Sequence, residues 1–255
     1  MPLTLLTIPC LRDNYAYLIH NDATGETALI DAPEPAPILA ALAENNWMLS
    51  AILITHHHSD HIDAVPALIA ATSARIIGAT ADAHRLPPLD QSIAPGDVLT
   101  ICGEPAHIID VSGHTIGHIA FHFPQSNLLF TADSLMAMGC GRLFEGTPAM
   151  MWESLQRLSA LPDHTIVCSG HEYTAANAKF ALTIEPDNSA LISRITEITK
   201  ARANSQPTVP SLLGLERATN PFLRAHLPSL KSHVNMPGAA DVQAFAEIRA
   251  LKDRF

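Results

Sequence analysis

The sequence predicts an α+β fold, with two packed β-sheets and outer helices over residues 1–173 and a small all-α domain over residues 174–255. Short apolar runs separated by Gly, Pro, Asn and Asp turn signals fill the first range, and such runs are typical of β-strands. From Glu172 onward, apolar residues recur at the three-and-four spacing of amphipathic helices. We therefore expect a domain boundary near residue 174.

The individual elements follow from these patterns in chain order. Strands are predicted over residues 3–8, 15–20, 26–31, 51–54, 75–78, 98–101, 106–111, 118–123, 127–131 and 166–168. Helices are predicted from residue 38, from residue 62, and over residues 148–161, 190–203 and 239–253. The first helix should begin late, at Ile38, because proline is tolerated only in the first turn of a helix. The Asn45-Asn46 pair should end it.

The composition indicates a globular chain that can bury a core without disulfides. Its 255 residues are 47% hydrophobic and 16% charged, which fits one large or two smaller domains. No uninterrupted apolar run approaches the roughly 20 residues that span a bilayer, and the N-terminus shows no basic leader. We expect a cytoplasmic protein with no membrane partner, and we expect a monomer.

The cysteines do not form a recognisable metal or redox motif. Cys10, Cys102, Cys140 and Cys168 lie far apart and include no C-x-x-C pair. In a chain of this length they are expected to be reduced and mostly buried thiols. Cys140 alone is of further interest.

Charge is distributed unevenly along the chain. Residues 1–173 carry 5 basic and 18 acidic side chains, a net charge of −13, whereas residues 174–255 carry 10 and 7, a net charge of +3. The total of −10 argues against general nucleic-acid binding, which needs a basic face. The cationic C-terminal range suggests a role in holding an anionic ligand, although a solvated helical surface is the more common cause of such a balance.

The run Thr55–His61 follows a predicted buried strand and has the sequence T-H-H-H-S-D-H. Neutral imidazole and carboxylate are usual ligands of zinc and related ions, so His56, His58, Asp60 and His61 are candidate metal ligands. Because side chains alternate along an extended chain, His56 and His58 should point the same way and His57 the other. A histidine-rich loop without metal is the alternative.

Three further candidate ligands, His114, Asp133 and His171, also follow predicted strands. For each one alone, a hydrogen-bonded turn residue or a helix cap is a sufficient explanation. Their joint placement favours a shared site. A carboxylate can offer one oxygen to each of two cations, which makes Asp133 the candidate bridging ligand. The other histidines are expected to be surface or core residues. His57 and His118 are candidates to contact the metal ligands without binding metal themselves.

These motifs resemble the metallo-β-lactamase superfamily and, within it, the glyoxalase II family of hydroxyacylglutathione hydrolases. The stretches that carry the resemblance are residues 55–61, 112–119, 130–135, 140–147, 170–174, 220–224 and 251–255. The first three are shared across the superfamily, whereas residues 140–147 and the C-terminal helical segment are specific to the glyoxalase II branch. The resemblance implies an αββα sandwich followed by a helical domain that completes the substrate pocket.

The resemblance also implies roles for individual residues. Metal would be bound by His56, His58 and His114 at one site and by Asp60, His61 and His171 at the other, with Asp133 bridging. Asp60 and Asp133 would therefore also be catalytic. Glutathione would be held by Arg142, Phe144, Tyr173, Arg249 and Lys252. Some family members have tyrosine where this chain has Phe144, so a hydroxyl contact is absent there, and Arg142 keeps the charge of a lysine found in others.

The periodicity of the last predicted helix agrees with part of this assignment. At about 100° per residue, Arg249 and Lys252 fall within the arc of the apolar residues Val242, Phe245 and Ile248. Charges on an inward arc are costly unless they meet an anion. The alternative is that both side chains extend outward at a fraying terminus.

The expected reaction is hydrolysis of S-(2-hydroxyacyl)glutathione, chiefly S-D-lactoylglutathione, to glutathione and D-lactate in methylglyoxal detoxification. A hydroxide shared by two divalent cations would attack the thioester carbonyl, because the cations lower the pKa of bound water and stabilise the oxyanion. Zinc is expected first, and iron or manganese suit the same ligands. A thiolate with a pKa of about 8.5 can leave without a dedicated acid.

Two alternatives stay open from the residues. One is another hydrolase of the same superfamily, such as a lactonase, another thioesterase, a β-lactamase or a nuclease. Asp133 and residues 140–147 disfavour a β-lactamase, and the acidic balance disfavours a nuclease. The other is a noncatalytic metal-binding protein. Seven candidate ligands around two ions would leave positions for water, whereas a structural zinc site is closed by four protein ligands.

Overall fold

A computed structural model describes residues 2–255, which contain the strands and helices that the sequence pattern predicts together with further elements that it does not predict. The strands are β1 Thr4–Cys10, β2 Asn14–His20, β3 Thr27–Ile30, β4 Leu49–Leu53, β5 Arg75–Ala79, β6 Gln91–Ile93, β7 Val98–Ile101, β8 Glu104–Asp110, β9 Ile119–Phe123, β10 Leu128–Ala132, β11 Leu135–Met136, β12 Gly139–Cys140, β13 Ile166–Ser169 and β14 Ser211–Leu212. The α-helices are α1 Pro35–Asn45, α2 Ser59–Ile62, α3 Val65–Thr72, α4 Pro148–Ser159, α5 Thr174–Ile184, α6 Ser189–Ala203, α7 Leu213–Thr219, α8 Pro228–His233 and α9 Asp241–Arg254.

Over these described residues the strands form two six-stranded sheets, ordered β1-β2-β3-β4-β5-β6 and β14-β13-β10-β9-β8-β7, and one two-stranded hairpin, β11-β12. In the first sheet β1, β2 and β3 are antiparallel, whereas β3, β4, β5 and β6 run parallel. The carboxyl ends of neighbouring parallel strands lie at the same edge of a sheet. Asp31, Thr55 and Asp82 follow β3, β4 and β5 respectively, so they are expected at that edge.

The first compact unit comprises the chain through Asp110 together with Gly117–Thr131. Its two groups of strands face each other, because the buried rings of Tyr17 in β2 and Phe130 in β10 lie 5.6 Å apart. Helices α1 and α3 cover the outer face of the first sheet through a core that includes Ile38 and Leu68. This is the sheet sandwich with outer helices that the sequence predicts.

The second compact unit comprises Val111–Ile116 and Ala132–Phe255. Strands β13 and β14 pair in antiparallel register here, and the remaining elements are helices and the β11–β12 hairpin. Helix α4 contacts α9 through the rings of Trp152 and Phe245, 5.7 Å apart. A smaller core of Met138, α5 and α6 residues lies beside the hairpin.

The largest differences from the predicted helix boundaries lie at the starts of two helices, each displaced by three residues. Helix α1 begins at Pro35 instead of Ile38, because the first N–H groups of a helix have no intrahelical partner and prolines there remove nothing. The helix predicted from residue 62 is two helices, since Pro66 fits the first turn of α3 but would interrupt a continuous helix. Asn46 ends α1 in the left-handed conformation, as predicted.

None of the helices within residues 2–255 has both the length and the apolar character that crossing a bilayer would require. Strand β14 is a two-residue exception in the range predicted to be all-α.

Candidate metal centre

The histidine run leaves the end of β4 and enters α2, a single helical turn that contains Asp60 and His61. His56 is buried and its ring centroid lies 4.8 Å from that of His58. His57 turns the other way and places Nδ1 3.1 Å from Asp82 Oδ2. The alternation expected of an extended chain therefore directs His56 and His58 to one side and His57 to another.

Asp31 supports this run, and sequence reasoning did not identify it. Its Oδ1 accepts a hydrogen bond from Thr55 N at 2.9 Å, and its Oδ2 accepts from Thr55 Oγ1 at 2.8 Å. His61 Nδ1 lies 2.9 Å from the same Oδ2. Because a carboxylate only accepts, His61 carries its proton on Nδ1 and presents Nε2 as a potential metal ligand.

The same reasoning extends to His56 through Thr55. Thr55 Oγ1 lies 2.9 Å from His56 Nδ1. Since this hydroxyl gives its hydrogen to Asp31, it accepts from His56 Nδ1, and Nε2 is then the atom of His56 that could bind a metal. Asp31 thus orients two candidate ligands. Its backbone is left-handed, with φ +55°, a conformation that Asp and Asn tolerate better than most residues.

Asp60 is held by a second residue that sequence reasoning passed over. The side chain of Asn14, the first residue of β2, donates from Nδ2 to Asp60 Oδ2 at 3.0 Å and to Asp60 O at 3.1 Å. Both bonds use one amide nitrogen, so Asn14 fixes the carboxylate relative to its own backbone. The other carboxylate oxygen is not used in these two bonds.

His114, Asp133 and His171 lie close together in the second compact unit. Asp133 Oδ2 lies 3.4 Å from His114 Nε2 and 3.3 Å from His171 Nε2. His114 Nδ1 lies 2.8 Å from the backbone oxygen of Arg142, which can only accept, so His114 also presents Nε2. Gly141 is required here, because a Cβ at this residue would overlap the backbone oxygen of Asp133.

Each compact unit contains one set of candidate donors. In the first unit, Asp31, His56 and His61 each have a ligand atom within 4.8 Å of the others, and this set includes the Asp31 support described above. In the second unit, the set is His114, Asp133 and His171. Imidazole nitrogen and carboxylate oxygen, offered here by mostly buried side chains, are donor types that suit zinc, iron and manganese.

Two aromatic side chains predicted to bind substrate contact candidate ligands. The Phe144 ring meets that of His114 edge-on at 5.2 Å, and the Tyr173 ring stacks on His171 at 4.7 Å. Both rings are solvent-exposed, Phe144 at 63% and Tyr173 at 39%. They therefore offer apolar surface beside two of the donors.

The predicted cationic residues differ in exposure. Arg249 is buried, as its inward arc predicts, and donates from Nη1 to Cys140 O at 3.0 Å and from Nη2 to Asp253 Oδ1 at 2.8 Å. The side chain of Arg142 is largely exposed, with Nε 3.8 Å from Asp253. Lys252 is half-buried over the rings of Phe180 and Phe255. Burial, then the charges of Arg249 and Arg142, lower the pKa of Lys252 from its usual value.

Cys140 lies beside Arg249 but is not an activated thiol. All four cysteines are buried and free of disulfides within the described residues, as predicted. Burial raises the pKa of Cys140 to about 11, although the Arg249 charge acts in the opposite direction. At neutral pH the group is a thiol, which is a weak nucleophile.

Among the remaining histidines, His118 stacks on His56 with ring centroids 4.5 Å apart, which suits the supporting role expected of it. His107 and His122 face each other across β8 and β9. Asp82 contacts His57 and also pairs with Arg85 at 2.6 Å.

Comparison with known proteins gives the class first. The model of the metallo-beta-lactamase superfamily matches residues 11–171, and the model of the hydroxyacylglutathione hydrolase C-terminus matches residues 172–255. Among solved structures, the BLEG-1 B3 metallo-beta-lactamase matches with a TM-score of 0.68 at 22% identity, over 86% of this chain and 99% of that one, which shows the fold alone. TTHA1623, solved in a di-iron-bound form, matches with a TM-score of 0.63 at 25% identity, over 86% of this chain and 100% of that one. The fold and the donor sets are thus those of a metallo-beta-lactamase-type, metal-dependent hydrolase.

Sequence identity then narrows the assignment. A hydroxyacylglutathione hydrolase of Cereibacter sphaeroides is 61% identical over 255 residues, the full length of both chains. The same protein of Ruegeria pomeroyi is 59% identical, again over the full length of both. The chain belongs to the hydroxyacylglutathione hydrolase family of the metallo-beta-lactamase superfamily.

Proposed function

We propose that this chain hydrolyses the thioester bond of S-(2-hydroxyacyl)glutathione, releasing glutathione and a 2-hydroxy acid, with S-D-lactoylglutathione as its chief substrate. The observation that carries the proposal is the 61% identity, over the whole chain, to a hydroxyacylglutathione hydrolase. The sets of histidine and aspartate donors support it, because they suit the metal-dependent hydrolysis that the superfamily implies. The acyl product would be D-lactate.

We propose two divalent cations as cofactors, with zinc as the first candidate. His56, His58 and His114 would hold one, and Asp60, His61 and His171 the other, with Asp133 bridging. The position of Asp133 supports this division, because its Oδ2 contacts one histidine proposed for each cation, His114 and His171. Iron and manganese suit the same imidazole and carboxylate ligands, so the choice of zinc rests on ligand type alone.

When bound, such a pair of cations lowers the pKa of a water molecule to supply hydroxide near neutral pH and stabilises negative charge on the thioester oxygen. The protein's part is to fix the donors before substrate arrives. Asp31 and Thr55 hold His56 and His61 in the tautomer that carries its proton on Nδ1, and Asn14 fixes the Asp60 carboxylate. Departure of the glutathione thiolate, with a pKa of about 8.5 by analogy with cysteine, needs no acid residue.

We propose that the glutathione moiety is held by Arg142, Phe144, Tyr173, Arg249 and Lys252. Glutathione carries carboxylates, and three of these residues are cations. Arg142 and Arg249 lie near Asp253, which partly balances their charge. The exposed rings of Phe144 and Tyr173 would place the apolar part of the thioester next to the candidate ligands His114 and His171.

The division of labour proposed from the sequence places the binuclear metal domain in residues 1–173 and the substrate-binding helical domain in residues 174–255. The net charge of +3 over the second range supports a role with an anionic ligand. A monomer in the cytoplasm, acting on a small molecule without nucleic-acid or membrane partners, remains the expectation. Four free, buried cysteines fit a reducing compartment.

The test measures thiol release from S-D-lactoylglutathione by metal-loaded protein, by chelated protein, and by the Asp133→Ala variant. We expect cleavage only by the metal-loaded parent protein. Asp163→Ala, which removes a surface aspartate paired with Arg217, is the control variant and should keep its activity. Activity in verified metal-free protein would refute the metal-dependent proposal. Faster turnover of a lactone or a β-lactam than of the thioester would assign the chain to a different hydrolytic activity.

A further inference from the structure

The hairpin β11–β12 lies between two residues of the proposed site. We call residues 133–142 the hairpin segment, since it begins at Asp133, the proposed bridging ligand, and ends at Arg142, a proposed substrate ligand. Its own ladder is small, with Leu135 opposite Cys140 and Met136 opposite Gly139. A two-stranded hairpin is marginally stable by itself. Other contacts must therefore hold it in place.

Side chains from later in the chain bind the backbone of five consecutive hairpin residues. Asn220 Nδ2 donates to Met136 O at 3.1 Å and to Gly139 O at 2.9 Å. Asn177 Nδ2 donates to Ala137 O at 3.1 Å, Glu216 Oε2 accepts from Met138 N at 2.7 Å, and Arg249 Nη1 donates to Cys140 O at 3.0 Å. All four side chains are buried.

These side chains are themselves fixed by a buried polar network. Glu216 is fully buried, pairs with Arg194 and accepts from Ser211 Oγ at 2.6 Å. Asn220 Oδ1 accepts from Phe222 N at 3.0 Å, which orients its amide nitrogen towards the hairpin. Because buried polar groups are costly when unpaired, such a network favours one arrangement of its members.

The hairpin backbone is shaped to accept these contacts. A Cβ on Gly139 would lie 2.5 Å from Asn177 Nδ2, so only glycine lets this amide approach. Met138 adopts a left-handed backbone, with φ +57°, and directs its N–H to Glu216. The fit between the hairpin and the later side chains therefore depends on both sides.

Displacing the hairpin would disturb two candidate metal ligands together. Asp133 begins the segment. At its other end, the backbone oxygen of Arg142 accepts a hydrogen bond from His114 Nδ1. Movement of this oxygen would release the bond that keeps His114 Nε2 available as a ligand. The side chain of Arg142 would move with the same segment.

We propose that Asn177, Glu216 and Asn220 are positioning residues, which hold the hairpin segment so that Asp133, His114 and Arg142 keep the geometry of the site. The proposal rests on the proposed function for the roles of those three residues. Arg249 contributes a fifth bond but is itself a proposed substrate ligand, so its variants would not separate the two effects. The neutral amides of Asn177 and Asn220 can be tested separately.

The experiment compares Asn177→Ala and Asn220→Ala with Asn188→Ala. Asn188 is a matched control, because its amide also binds a backbone oxygen, Ala218 O at 3.0 Å, and its Oδ1 caps α6 away from the hairpin. Three quantities are measured. They are the chelator concentration that removes half of the metal, hydrogen exchange of the hairpin segment in metal-free protein, and kcat and KM for the thioester. Melting temperatures are recorded for all variants.

We expect the two hairpin variants to release metal at chelator concentrations roughly tenfold lower than the parent protein, as is usual when residues behind metal ligands are lost. Hydrogen exchange in the hairpin segment should be faster than in the parent protein, and kcat/KM should fall about tenfold. Asn188→Ala should keep parental values of all three despite a lower melting temperature. Asn220 makes two of the five bonds and its loss could prevent folding, so Asn177→Ala decides the outcome.

The positioning role would be overturned if Asn177→Ala matched Asn188→Ala in both metal release and exchange at a similar loss of melting temperature. Failure of the parent protein to cleave the thioester would instead refute the proposed function. In that case the metal-release and exchange measurements still decide whether Asn177 and Asn220 position the hairpin segment.

Discussion

Asp31 receives three hydrogen bonds on two oxygens, and through them it reaches His61 directly and His56 by way of Thr55. These two histidines belong to different proposed metal sites. One carboxylate outside the ligand set therefore fixes the tautomer of a ligand in each. The arrangement makes Asp31 more influential than a residue with a single contact.

The isosteric change Asp31→Asn should weaken metal binding. An amide has one accepting oxygen, so its NH2 group must face either Thr55 N or the pair formed by Thr55 Oγ1 and His61 Nδ1, all of which are donors. We expect metal to be released at chelator concentrations about 10- to 100-fold lower, measured by elemental analysis after dialysis.

Asp90→Asn is the matched control for this change, because the Asp90 carboxylate accepts the backbone N–H of Ile76 at 2.7 Å, at the start of β5. It should lose some stability and keep its metal. Equal metal retention in the two variants would contradict the orienting role of Asp31.

Lys252 provides a pH-dependent prediction. Its pKa is lowered by burial first and then by Arg249 and Arg142, so the side chain loses its charge at a lower pH than a free lysine. Cationic Lys252 is the form that attracts a carboxylate, and affinity for glutathione should therefore fall as pH rises through this lowered pKa. Because the charged form is disfavoured in the folded state, the free energy of unfolding rises with pH between the lowered pKa of Lys252 and its ordinary value, whereas the affinity for glutathione falls.

We expect KM for the thioester to rise on the alkaline side in the parent protein. Lys252→Arg should abolish this rise, because the guanidinium stays charged across the accessible range. The measurement is KM against pH for both proteins, with kcat recorded to separate effects on the reaction step. The same alkaline increase in both would show that another group titrates.

At the level of single residues, the sequence predicts candidate metal ligands but not the residues that orient them. Histidine and aspartate residues that follow several strands together indicate metal binding, whereas one such residue alone does not. Asp31 and Asn14 give no such signal, since their partners depend on which strands are neighbours and in what register. Asp31 could have been suspected from its place directly after an apolar strand, next to the strand that leads to Thr55.

At the level of elements, strong apolar periodicity made most strands and helices predictable. The sandwich and the helical C-terminal range follow from it, and so does the inward direction of Arg249 on α9. Strand β6 and the two-residue strands were missed. The β11–β12 hairpin has too few residues to show alternation, and its conformation depends on side chains up to 109 residues later in the chain.

Helix boundaries failed for a related reason. Proline marks where a helix cannot continue, but the residue types alone do not say whether it lies in the first turn or outside it. Pro35 and Pro66 both lie within the first turns of their helices. The prediction placed the start of the first helix three residues too late, at Ile38, and that of the second three residues too early, at residue 62 instead of Val65.

At the scale of the whole chain, the proposed ligands extend from His56 to His171 in sequence. An unfolded chain keeps only the local run from residue 56 to 61 and separates it from the other proposed ligands. The proposed cations would therefore bind the folded state much more tightly than the unfolded state, and their binding free energy would add to the folding free energy. The net charge of −10 adds a general attraction for cations.

This linkage predicts that chelation lowers the melting temperature. A metal present at about 100 times its Kd stabilises the folded state by about 2.7 kcal/mol. At about 2–4 °C per kcal/mol for a chain of this size, each site should contribute roughly 5–10 °C. The measurement is thermal unfolding of metal-loaded and chelated protein, with metal content determined on the same samples.

The variant Asp133→Ala should lose most of this metal-dependent increment, because the proposed bridge serves both cations, whereas Asp163→Ala should retain it. Asp163 is exposed and forms a surface ion pair with Arg217. A melting temperature that stayed constant while the metal content fell to zero would mean that the donor sets form without help from metal, and that metal binding and folding are independent in this chain.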